Sequence, residues 1–133
     1  MMRFLLVCVL LMCAMPSTAS ITDYVVKQWN IKDGLPSQSL KSVVQDNQGY
    51  MWLGTQFGLS RFDGNTFTNY NTQNSLFLPS NGINKLLIDG QGLLWIGTKN
   101  GLVVIDPEKL TAQEFNIKGP VRDILEDSKG SIW

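Results

Sequence analysis

An all-β fold built from repeated four-stranded units is predicted by three observations. The stretch "DNQGYMWLGTQFGL" at residues 46–59 returns as "DGQGLLWIGTKNGL" at residues 89–102, and "DSKGSIW" at residues 127–133 starts it again. Each copy alternates short apolar or β-branched runs with turns marked by Asp and Gly. Beyond the first twenty residues no apolar stripe has the 3.6-residue period of a helix, and glycine recurs too often for long helices.

The leader comes first. "MMR" is positively charged, "FLLVCVLLMCAM" (residues 4–15) is an uncharged apolar run, and "PSTAS" adds Pro16 and the small residues Ser17 and Ala19. This is the layout of a secretory signal peptide over residues 1–19, cut after Ala19. An uncleaved N-terminal anchor is the alternative, although the run falls short of the ~20 apolar residues that span a bilayer. Cys13 does not read as a lipidation site, because Met12 stands where a small residue is needed. Both cysteines, Cys8 and Cys13, lie in the leader, so residues 20–133 offer no disulfide, thiolate metal site or catalytic thiol.

Charge excludes some partners. The chain has 11 basic and 11 acidic residues with no block of either sign, so no footprint for nucleic acid or an anionic membrane is expected. Histidine is absent, which removes a Ser-His-Asp triad, His-bearing metal sites and a phosphoaccepting histidine from this stretch.

Within the first unit, "KSVVQD" is a strand ending at Asp46, and Asp46 to Gly49 is a turn in which glycine supplies the positive φ. "YMWLGT" is the second strand, closed by the turn from Thr55 to Gly58. "LSRF" is the third, "DGN" a hairpin turn, and "TFTNY" the fourth. The second unit repeats this at an offset of 43, with twelve positions from Pro36/Pro79 to Asp63/Asp106 in register. The third follows at an offset of 38, with Val121, Ile124, Leu125, Asp127, Gly130 and Trp133. Four short strands per repeat of this length describe β-propeller blades of four antiparallel strands, with units at about 36–78, 79–116 and 117–133.

"YVVKQWN" (residues 24–30) reads as an orphan outer strand belonging to another blade, one that closes the ring with a distant C-terminal partner. The expected inventory is one orphan strand, two full blades and half of a third. Propellers close with roughly four to eight blades, so an incomplete propeller, the N-terminal portion of a longer ring, is expected. A blade buries its faces only against neighbours, so this stretch alone would be aggregation-prone.

The pattern Asp-x-x-Gly-x-x-Trp-x-Gly-Thr-x-x-Gly-Leu, preceded by "WNIKDGLPS", resembles the two-component regulator propeller repeat over residues 24–133. The resemblance implies that residues 20–133 are the N-terminal part of a periplasmic sensor domain in a bacterial receptor anchored in the inner membrane. It further implies a downstream output on the same chain, a histidine kinase or a diguanylate cyclase, and a homodimeric receptor. A small-molecule or glycan ligand is implied, bound by loops such as residues 71–82. Pro107 stands where the first unit has the turn glycine Gly64, so the second unit's loop differs.

The repeated residues are Asp46, Gly49, Trp52, Gly54, Thr55 and Gly58, with Asp89, Gly92, Trp95, Gly97, Thr98 and Gly101, and then Asp127, Gly130 and Trp133. The aspartates could form a row of carboxylates for a metal or acid–base chemistry, yet they lack the alternate-position spacing of a calcium loop. Recurrence at one blade position points instead to carboxylates accepting hydrogen bonds within their own turns. The tryptophans could form a stacking platform, but in the second strand of each unit they are placed to wedge between sheets. The glycines precede a strand, unlike phosphate loops that feed a helix. No cofactor, metal or catalytic residue is expected. A secreted propeller enzyme, a glycosidase or lyase, is the competing reading, and Arg122, Asp123 and Glu126 form its only polar cluster.

Overall fold

The computed structural model describes residues 25–133, so the leader assigned to residues 1–19 lies outside the described residues. Two four-stranded antiparallel sheets follow one another. The first has strands β1 (Leu40–Gln45), β2 (Met51–Thr55), β3 (Gly58–Phe62) and β4 (Phe67–Tyr70), in that spatial order. The second has β5 (Ile83–Ile88), β6 (Leu94–Thr98), β7 (Gly101–Ile105) and β8 (Ala112–Phe115), in the same order. These are two propeller blades. A third begins as a hairpin in which Leu125 and Trp133 exchange both backbone hydrogen bonds, at 3.0 and 2.8 Å.

Register sorts each blade's residues onto two faces. Val44, Trp52 and Arg61 lie opposite one another across β1–β3, as do Ser42, Gly54 and Leu59, so all six share one face of the first blade. That face meets the second blade. Ser42 Oγ accepts from the Leu86 N–H at 3.0 Å, and Leu59 and Trp52 join one buried cluster with Ile83, Leu86, Leu94, Ile96, Val103 and Ile105.

Glycine at position 54 permits this approach. A Cβ there would stand 2.6 Å from Ile83 Cγ2, closer than any ordinary contact, and 3.1 Å from Ile83 Cβ. Gly97 repeats the arrangement, its virtual Cβ 2.9 Å from Val121 Cγ1 of the third unit. The sheets approach most closely at β1 and β5 and fan apart toward β4 and β8. Phe77 and Leu78, from the loop joining the blades, pack into the cluster near that divergence, and Phe77 lies 5.6 Å from Tyr70.

The segment expected as an orphan outer strand with a distant C-terminal partner leads into a short turn. Residues 25–30 pair with no strand among the described residues, and Val25 and Val26 are exposed. A strand needs a ladder partner for its backbone groups, and none is present here. Instead Asn30 caps a single 3-10 turn (Ile31–Asp33), accepting from the Lys32 N–H, while Asp33 accepts from the Asn30 N–H. Trp29 packs edge-on against Phe62 and Phe67, and Asn69 donates to the Gly34 carbonyl at 2.8 Å. The segment therefore covers part of the first blade's other face.

Candidate functional site

Antiparallel topology gives the blades two rims. One carries the β1–β2 and β3–β4 turns and their counterparts, and with them Asp46, Asp63, Asp89, Asp106 and Asp127. The opposite rim carries the starts of β1 and β5, the turns closed by Gly58 and Gly101, and the loops 71–82 and 116–120.

On the first rim the three repeated aspartates make the same set of hydrogen bonds. Asp46 Oδ1 accepts from the backbone N–H of Gln48 and Tyr50, at 2.9 and 3.0 Å, and Oδ2 accepts from Trp52 Nε1 at 2.8 Å. Asp89 repeats this with Gln91, Leu93 and Trp95, and Asp127 with Lys129, Ser131 and Trp133. Each carboxylate is thus engaged by two amides of its own turn and by the indole of its own unit. The Trp133 indole and the two turn amides hold the Asp127 carboxyl below the ordinary value of 3.8. Backbone bonds from Thr66 and Asn65 act likewise on Asp63, and bonds from Lys109 and Glu108 on Asp106. Among the described residues, no three His, Cys, Asp or Glu side chains converge in a way that could hold a metal ion.

The tryptophans differ in exposure. Trp52 is fully buried and stacks on Tyr70 at 5.9 Å; Trp95 is half-buried and stacks on Phe115 at 5.6 Å; Trp133 is 77% exposed. At the other rim, Thr55 Oγ1 donates to the Gly58 carbonyl and accepts from the Phe57 N–H, and Thr98 does the same with Gly101 and Asn100.

Arg122, Asp123 and Glu126 do not converge on one point. Asp123 pairs with Lys85 at 2.8 Å, which holds its carboxyl below the usual range, and Glu126 accepts from the Gly90 N–H at 2.9 and 3.1 Å. Arg122 instead lines a separate cleft of about 420 Å³ with Lys41, Asn84, Lys99 and Pro120. The loop 71–82 is tied down by its own side chains: Asn74 Oδ1 accepts from Asn71 N and Asn81 Oδ1 from Thr72 N. Its Leu76 is fully exposed beside a cleft of about 580 Å³ shared with Tyr70, Phe77, Leu110 and Glu114. The cationic cleft had only a weak sequence signal, the polar residue at one inner-strand position in all three units: Lys41, Asn84 and Arg122.

Blades meshed in series, with loop-bearing clefts along one rim, define a propeller repeat region. Residues 34–57 and 78–100 match the family described as two component regulator propeller. The structure is similar to the extracellular domain of BT3049, described as a hybrid two component system from B. thetaiotaomicron, with a TM-score of 0.71 and 27% identity. That match covers 80% of this chain and 17% of the other. The extracellular domain of BT4673, described as a one component system of the same organism, shares the fold with a TM-score of 0.61 and 22% identity, over 77% of this chain and 16% of the other. Histidine kinase P4 of Formosa agariphila is 40% identical over 52 residues, 39% of this chain and 4% of the kinase. The chain thus spans a small part of each relative it matches. It is similar to part of the extracellular propeller region of such proteins.

Proposed function

We propose that this chain is the ligand-sensing propeller portion of a periplasmic receptor whose output is a histidine kinase. The observation that carries the reading is the structural match to the extracellular domain described as a hybrid two component system. The repeat-level identity to a histidine kinase supports the same output. The leader at residues 1–19 supplies export, and the rim holding loops 71–82 and 116–120 supplies the ligand face, since binding on such scaffolds concentrates in loops. A small molecule or glycan bound there shifts the balance between two arrangements of a paired receptor, in proportion to its differential affinity for them.

Two measurements test the reading. Alkaline phosphatase fused after Trp133 is expected to be active in cells and to lose activity when residues 1–19 are deleted; activity independent of the leader overturns periplasmic placement. In membranes containing the parent receptor, autophosphorylation is expected to respond to ligands supplied outside. A parent without ATP-dependent phosphorylation overturns the kinase output.

A further inference from the structure

We propose that the cleft lined by Lys41, Asn84, Lys99 and Arg122 is an anion-binding site for a ligand carrying two or more carboxylate, sulfate or phosphate groups. The inference deepens the sensor reading by naming a ligand class, and it rests on that reading only for its consequence in signalling.

Local backbone geometry builds the site. Ladder pairing runs Leu40 with Thr55 and then Ser42 with Gly54, so Lys41 is skipped. In the next blade Ile83 pairs with Thr98 and Lys85 with Gly97, so Asn84 is skipped. Both are bulge residues, and a bulge re-aims the side chain it carries. Arg122 occupies the same repeat position in the third unit, 38 residues after Asn84. Three successive units therefore deliver their equivalent residue to one cleft of about 420 Å³.

Lys99 arrives from a different element, the turn between β6 and β7. Its stem is laid over Gly82, where a Cβ would stand 2.6 Å from Lys99 Cδ and 2.8 Å from Cγ. The Lys99 N–H donates to the Gly82 carbonyl at 2.8 Å, fixing the root of the same side chain. Asn84 is held as well, its Nδ2 donating to the Val121 carbonyl at 2.9 Å.

The charge is unbalanced. No Asp or Glu lines the cleft, and among the described residues Lys41, Lys99 and Arg122 form no ion pair. The nearest acid in sequence, Asp123, is committed to Lys85. Three cations gathered without a counter-charge, on a chain whose formal net charge is zero, attract an anion and repel a cation. The planar Arg122 fork suits a carboxylate or sulfate edge, and the two ammonium groups act as movable point charges. One singly charged group leaves two cations unmatched, hence a multivalent ligand.

Isothermal titration calorimetry on the full chain at low salt tests this, with citrate, pyrophosphate and an oligogalacturonate as anions and maltotriose as the neutral control. Binding of at least one anion, none of maltotriose, and affinity that falls as salt is added are expected. Removing a cation by Lys41→Gln or Arg122→Gln is expected to weaken binding roughly tenfold each. Arg122→Lys is expected to retain most of it, and Lys129→Gln on the opposite rim to retain all. Oligogalacturonate preferred over citrate identifies a polymeric source, and the reverse a free small acid; both support the site. Failure of all three anions, or equal weakening by Lys129→Gln, overturns it. Anion binding that leaves receptor phosphorylation unchanged overturns the sensor reading and leaves this site standing.

Discussion

Trp52 Nε1 donates to Asp46 Oδ2 at 2.8 Å, across six residues of chain, with the indole fully buried and the carboxylate 5% exposed. One side chain thereby closes the β1–β2 turn and satisfies the one polar atom of the largest buried ring. Replacement of Asp46 by Ala strands that N–H and two turn amides. A loss of about 3 kcal/mol is expected in chemical denaturation. Asp127→Ala, beside an exposed Trp133, is expected to lose distinctly less. Equal losses would show that burial of the indole does not set the cost.

The Gly54–Ile83 contact gives a second expectation. Gly54→Ala places a methyl group where Ile83 already stands and should cost about 1–3 kcal/mol by overpacking. Ile83→Ala opens space at the same point, so the double variant should be more stable than the two single losses added together. Strict additivity in a double-mutant cycle would deny that these residues set the blade spacing.

Thr55→Val keeps the shape of a fully buried side chain and deletes the oxygen shared by Gly58 and Phe57. About 1–2 kcal/mol is the expected loss, with faster hydrogen exchange at the Phe57 amide. Unchanged exchange at that amide would argue against the turn's dependence on the hydroxyl.

Acid should loosen the turns. Asp63, Asp106, Asp123 and Asp127 all have carboxyls held below the ordinary 3.8 by bonds made in the fold. A depressed folded-state value contributes stability that is complete above 3.8 and disappears as pH falls through the folded-state value. Tm is therefore expected to be flat near neutrality and to fall on going below pH 4. Asp127→Asn should flatten part of that fall; a slope indifferent to replacing each of the four aspartates by asparagine would place the acid sensitivity elsewhere.

Much of this architecture is written in the sequence because each strand is bounded by residues with one local job. Gly49, Gly58, Gly92 and Gly101 all have positive φ, a conformation costly for other residues, so the turns they end are visible as letters. The register that puts Trp52 and Gly54 on one face follows from alternation. Residues 25–30 are less legible, because letters report what a strand could be, whereas pairing depends on a partner. The Asp–Trp bond was hidden because spacing cannot say that a ring folds back over its own turn. The cationic cleft was hidden for another reason: Lys41 and Arg122 are 81 residues apart in sequence, and only blade stacking brings them to one place.

Each blade carries a protruding residue at the start of its inner strand and a dent in its second strand. Ile83 fills the dent at Gly54, and Val121 fills the dent at Gly97. Leu40 is the corresponding protrusion of the first blade, and it is 39% exposed, with Val43 nearby at 45%. A unit bearing both halves of the same joint is complementary to its own duplicate, head to tail. Duplicating such a segment of gene lengthens the array without inventing an interface, and each new blade inherits the angle of the last. Blade count can then change in evolution while the loops along the rim diverge independently, so ligand choice and ring size are separable traits.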